Sequence, residues 1–202
     1  MVLTRYAGRF WTFSFGLCVL VALATSCARQ ALEGDSTGPG PTSEEQDQDA
    51  LYPFTAKQIS DATKPGRRYM FKMESKGSAP MYVETEFVRC DEEGCVANRT
   101  NYDEDRRQQG PANRQEATWV ELRSHSRFLK AATTAGEAEV HVPAGSYDCI
   151  SYTVREGNGT VQHYYYARNL PGPPVLAEVE MHGEIVWSMR LVEYDAGRSD
   201  SE

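Results

Sequence analysis

Five cysteines, four histidines and two pairs of glutamates spaced two residues apart hold most of the reactive chemistry this sequence offers. Cys90 and Cys95 flank Asp91-Glu92-Glu93-Gly94, which sets them opposite each other at the mouth of a hairpin. An oxidising compartment would join them as a disulfide, worth about 2 kcal/mol for so short a loop. Zinc would need a second cysteine pair at ligand spacing, and the sequence has none, so no metal site is expected. Cys149 alternates with Ile150, Tyr152 and Val154 along a strand and reads as a small buried hydrophobe. A nucleophilic thiolate would need a base beside it, and His125, His141, His163 and His182 form no local motif with it. Gly-x-Ser-x-Gly, His-Glu-x-x-His, phosphate-cradling and calcium-loop patterns do not occur. Glu84 with Glu86, and Glu178 with Glu180, read as solvated strand positions rather than an acid–base pair. The expectation is a protein with no catalytic residue and no cofactor.

Aromatic side chains offer the other route to a binding site. Tyr164-Tyr165-Tyr166 on a strand points Tyr165 away from its two neighbours, so one side fills a core while the other stays accessible. Sheet packing is the plain use of these rings. If the sheet instead encloses a hollow for an apolar ligand, Tyr152, Tyr165 and Trp187 are the expected contacts.

The elements that must position these residues are nearly all strands. Thr55 with Gln58 has the form of a capping box and Pro65-Gly66 ends the segment, predicting a short helix over 56–63 held by Phe54 and Ile59. Alternating segments follow at 68–75, 81–90 and 95–102, then an exposed polar loop over 103–116. Shorter strands are expected at 118–124 and 138–142. Strands 147–156 and 160–168 meet through Gly157-Asn158-Gly159, a hairpin signal, and 175–181 meets 184–194 across His182-Gly183, where His182 tolerates positive φ. In the last strand Ile185, Trp187, Met189 and Leu191 share one face, and Glu184, Ser188 and Arg190 the other. The fold expected is all-β, an antiparallel meander curled into a half-barrel or barrel with one short N-terminal helix.

The chain has 202 residues and a net charge of −8. That acidity excludes binding to nucleic acid, which needs a basic surface. Arg5 and Arg9 precede an uncharged apolar run from Phe10 to Ala24, the arrangement of a secretory signal. Loss of residues 1–26 takes away those two arginines and no acid, which deepens the charge from −8 to −10. Residues 27–50 carry Glu33, Asp35, Glu44, Glu45, Asp47 and Asp49 among Gly, Pro and Ser, too few apolar groups to offset chain entropy. They read as a disordered acidic tether, residues 51–195 as one β domain, and 196–202 as a disordered tail.

Leu23-Ala24-Thr25-Ser26-Cys27 resembles the lipobox of bacterial lipoproteins, with Ala24 where that pattern more often has Leu. The resemblance covers residues 1–27. It implies cleavage between Ser26 and Cys27, lipidation of Cys27, and a membrane partner reached through acyl chains. Ala28 after the cysteine implies the outer membrane, facing the periplasm, in a cell with two membranes. A second resemblance rests on Val142-Pro143-Ala144-Gly145-Ser146-Tyr147-Asp148-Cys149, Tyr164-Tyr165-Tyr166-Ala167-Arg168-Asn169-Leu170-Pro171-Gly172 and Trp187-Ser188-Met189-Arg190-Leu191. These segments look like bacterial envelope proteins with a curved antiparallel sheet, some of whose folds resemble lipoprotein carriers. The resulting expectation is a non-enzymatic, membrane-anchored envelope lipoprotein with a structural or interaction role. The alternative is a carrier or sensor holding an apolar, lipid-like ligand in the sheet's concavity.

Overall fold

The computed structural model describes residues 49–197. The signal segment, Ser26, Cys27, nearly all of the tether and most of the tail lie outside the described residues.

Helix α1 (Ala56–Ala62) starts where the sequence signals it. The Thr55 side chain accepts from the Gln58 amide, and Gln58 accepts from the Thr55 amide in return. Strands β2 (Arg68–Ser75), β3 (Met81–Cys90) and β4 (Gly94–Tyr102) follow as a meander. The polar stretch expected as loop ends in a further strand, β5 (Asn113–Thr118), paired to β4. Its alternation hid because both of its faces are polar. Gly94 makes that pairing possible: a Cβ there would stand 2.2 Å from the Ala117 carbonyl oxygen.

Residues 118–124 are not the strand expected. They form α2 (Trp119–Ser124), capped by Thr118, whose side chain accepts from the Glu121 amide while Glu121 accepts from the Thr118 amide. The signal was Thr118-x-x-Glu121, a second capping box. A helix turns Trp119 and Leu122 toward the core and leaves Val120 64% exposed, whereas a strand would have put Val120 and Leu122 on one face. Next, β6 (Phe128–Leu129) pairs with the two-residue β1 (Ala50–Leu51), and a 3-10 turn (Lys130–Ala132) leads into β7 (Thr133–Val142). The C-terminal meander completes the fold with β8 (Gly145–Arg155), β9 (Thr160–Ala167), β10 (Leu176–Met181) and β11 (Glu184–Asp195). His182 takes a φ of 53°, as its place in the turn requires.

The nine long strands form one antiparallel sheet in the order β5-β4-β3-β2-β11-β10-β9-β8-β7. The first and last strands of the two meanders therefore meet in the middle. That β2–β11 seam is the one that would close a sequential meander into a barrel. The sheet stays open because β5 and β7 are not bonded: between them the chain leaves to make α2, β6 and the turn. It is nonetheless curled enough for the Ala144 amide, in the β7–β8 turn, to donate to the Leu191 carbonyl at 3.3 Å.

Register assigns the faces. Phe71 lies opposite both Val83 and Leu191, Ala177 opposite Met189 and Tyr164, and Tyr152 opposite Tyr164, so these side chains share the inner face. Phe54, Ile59, Trp119 and Phe128 join the same core. One expectation fails at the start of β11. An extra residue, Val186, bulges between the Val179–Trp187 and Glu180–Ile185 pairs, so Ile185 leaves the stripe of Trp187, Met189 and Leu191 and is 46% exposed.

Candidate functional site

The outer face of the sheet is a polar ladder crossing seven strands, from β4 to β8. Lys72 donates to Glu74 at 2.8 Å, and this hydrogen bond, with the charges of Lys72 and Arg190, holds the Glu74 carboxyl below its ordinary pKa. Arg190 lies 4.0 Å from Glu74 and 3.9 Å from Glu178, which links β2, β11 and β10. On the far side Arg68 reaches Glu84 at 3.5 Å, and the Tyr102 hydroxyl donates to Glu84. Mixed charges at cross-strand positions neutralise one another here and contribute little stability apiece.

The ladder continues into a group the sequence reading missed. Thr153 Oγ1 stands 3.2 Å from His163 Nδ1, and Glu180 lies 3.6 Å from His163 Nε2. Hydroxyl, imidazole and carboxylate in that order have the connectivity of a nucleophile, its base and an orienting acid. The signal was available, since Thr153 and His163 are equidistant from Asn158 in the hairpin turn. Neither of the two clefts described below reaches this group. A solvated ladder of cross-strand pairs produces the same contacts.

A cleft of about 510 Å³ opens where β2 ends and β11 begins, lined by Glu74, Ser75, Lys76, Glu184 to Ser188 and Arg190. Trp187 is its one aromatic wall, and Lys76 pairs with Glu184 along it. A smaller cleft of about 230 Å³ runs beside β4 and β5, where Asp91, Glu93, Glu116 and Glu121 surround Arg89 and Cys95.

The three aromatic contacts expected for a ligand do not converge. Tyr152 is 5% exposed and stacks on Phe128 with ring centres 4.7 Å apart, so the chain itself already occupies that position. Tyr165 stands opposite Ser151 and Leu176, on the outer face. Trp187 lines the cleft at the strand ends, apart from both. Strand alternation separates Tyr165 from Tyr152, and the rings of Phe54 and Phe128, which pack edge-on to Tyr166, fill the inner face.

Cys90 and Cys95 face each other across β3 and β4, as expected, but both thiols are free. The hairpin geometry is present and the disulfide is not. Burial, with Cys90 and Asp91 nearby, pushes the Cys95 thiol up to about 12, and burial together with Asp91 raises Cys90. Cys149 is 1% exposed, meets the Tyr147 carbonyl and no histidine among the described residues, and is pushed by burial up to about 11. Thiolate is the reacting form, so native Cys90, Cys95 and Cys149 are expected to react with a thiol reagent at pH 8 far more slowly than in denaturant. Peptide mapping after timed alkylation checks this. Because the Cys95 and Cys149 thiols stay neutral longer in the fold than in the open chain, stability is full below the ordinary thiol value of 9.0. It falls as pH rises from there through about 11 and about 12.

A buried cation sits behind β2. Arg67 is 1% exposed, donates to Thr63 Oγ1 at 3.0 Å, and lies 4.9 Å from the Tyr69 ring centre and 5.6 Å from that of Tyr194. Its Nε and the Tyr69 hydroxyl have no hydrogen-bond partner among the described residues. Nothing in composition or spacing marked Arg67, since its burial depends on α1, β2 and β11 meeting.

No protein-family model matches the sequence, and no curated protein does. Among solved structures, MucB in complex with MucA(peri) is similar at 11% identity and a TM-score of 0.50, over 72% of this chain and 56% of that one. The MucA/MucB complex of Pseudomonas aeruginosa gives 11% identity and 0.49 over 71% and 57%. A hypothetical protein, CT021 from Chlamydia trachomatis, gives 8% identity and 0.40 over 73% and 96%. The chain spans little more than half of the length of the MucB chains it matches. At this identity the likeness is one of fold.

Proposed function

We propose that this chain is a lipid-anchored, non-enzymatic protein of the bacterial cell envelope whose β domain binds another envelope protein. The filled inner face carries this reading. Phe54, Ile59, Trp119 and Phe128, supplied by the chain's own α1, α2 and flanking segments, take the volume that a carried lipid would need. The surfaces left to a partner are the charged outer face, the open cleft beside Trp187 and the two free strand edges. The fold shared with MucB, seen in complex with MucA(peri), supports the same choice over a carrier.

The anchor is Cys27, acylated after cleavage behind Ser26, with the acidic segment that follows it as a spacer. No helix among the described residues is long and apolar enough to cross a membrane. Each buried methylene contributes about 0.8 kcal/mol, so two or more acyl chains hold firmly where one does not. Cys27→Ser is expected to lose palmitate labelling and to move the protein from the membrane to the soluble fraction. A variant that fractionates like the parent overturns the anchor. Crosslinking in intact cells, followed by purification of the full-length protein, is expected to recover one envelope protein in stoichiometric amount. Purified protein that has no partner and turns over a substrate overturns the interaction role.

A further inference from the structure

The two edges of the open sheet differ. Strand β5 is a six-residue edge bearing Arg114 and Glu116. Strand β7 runs for ten residues, Thr133–Val142, and pairs with β8 along its whole length with no register shift. It contains no proline, no lysine and no bulge, and the blunting devices it does carry are the charges of Glu137 and Glu139. Alternate residues of such a strand direct their N–H and C=O groups away from their one neighbour. Among the described residues no further backbone hydrogen bond reaches those groups.

We propose that the β7 edge takes up an extended segment of a partner protein, basic at alternate positions, as a tenth strand of the sheet. This rests on the envelope-interaction reading and names the surface and chemistry it would use. Glu137 and Glu139 lie on one face of β7, and Glu139 stands directly opposite Asp148, a like-charge pair that costs stability where it is left alone. Arg168 pairs with Glu137, and His141 approaches Glu139 at 4.0 Å, while no base lies within ion-pair distance of Asp148 among the described residues. Lysines or arginines on an added strand would stand beside that acidic row. On the other face Gly136 and Ala138 are small and leave room for apolar side chains between the basic ones.

Two other occupants fit poorly. The chain's own upstream segment enters at Asp49, whose carbonyl accepts from the Lys130 amide just ahead of β7. That segment carries Glu44, Glu45 and Asp47 against Glu137 and Glu139, and Pro39 and Pro41 have no N–H to donate. A second copy would set the same acidic row against itself.

The test uses the full-length mature protein in micelles and an acetylated, amidated (Lys-Val)4 peptide. Its controls are (Glu-Val)4 and a block isomer with all lysines before all valines. The alternating basic peptide is expected to slow amide exchange over Thr133–Val142 at least tenfold and saturably, and the controls are expected not to. The double variant Glu137→Lys, Glu139→Lys, with circular dichroism unchanged, is expected to reverse the preference between the two alternating peptides. Equal protection by the block isomer, protection of β5 instead, or none at saturation overturns the proposal. A partner crosslinked in cells whose footprint avoids Thr133–Val142 also overturns it, and leaves the interaction role standing.

Discussion

Phe128→Ala is expected to destabilise the domain by about 4 kcal/mol, read as a fall in the urea midpoint with an unchanged slope. Phe128 is 8% exposed and stands among three tyrosine rings, 4.7 Å from Tyr152, 5.1 Å from Tyr164 and 6.0 Å from Tyr166. Its removal takes away a large buried apolar area and leaves a hollow that the surrounding strands, each bonded on both sides, cannot collapse to fill. An apolar hollow of that kind stays dry and accepts small apolar molecules. The variant is therefore expected to bind an acyl-chain or aromatic probe that the parent does not bind. A parent protein that binds such a probe stoichiometrically would restore the carrier reading and remove the observation on which the interaction role rests. The same substitution removes the Phe128 ring from the position opposite Leu51 in the β1–β6 pair, so the segment preceding α1 is expected to lose protection first in amide exchange.

Substitution at Arg67 separates packing from charge. Arg67→Ala is expected to cost about 3 kcal/mol, whereas Arg67→Met is expected to stay within about 1 kcal/mol of the parent, both read by chemical denaturation. The guanidinium has no carboxylate partner within ion-pair distance among the described residues. It is held by one hydrogen bond to Thr63 and by the faces of Tyr69 and Tyr194. Those contacts offset its desolvation, and a methionine of similar length keeps the stem packing while removing the charge that has to be offset. The Ala variant loses both and leaves a gap between α1 and β11. A methionine variant as unstable as the alanine one would show that the cation itself holds the C-terminal strand in place.

The parts of this protein that were legible in its sequence are those whose cause is local. The Thr55–Gln58 capping box, the Gly157-Asn158-Gly159 hairpin and the positive φ of His182 each follow from groups within a few residues, and the structure has them. Period-two alternation located most of the long strands for the same reason, because a pleated backbone alternates its side chains wherever it lies. The second capping box, at Thr118, was equally local. Trp119-Val120 has strong β propensity, and the two satisfied backbone amides outweigh that preference.

Only the tertiary structure decided what happens between distant segments. Strand order, with β2 against β11 and the seam open between β5 and β7, depends on where α2 and β6 leave the sheet, and alternation carries no information about which strand is a neighbour. The Val186 bulge moved Ile185 out of its stripe through pairing with β10. Phe128 filled the hollow that Tyr152, Tyr165 and Trp187 had been expected to line, and Arg67 became buried where three elements close over it. In each case the deciding energy comes from surfaces far apart along the chain, so it exists only once the fold has brought them together.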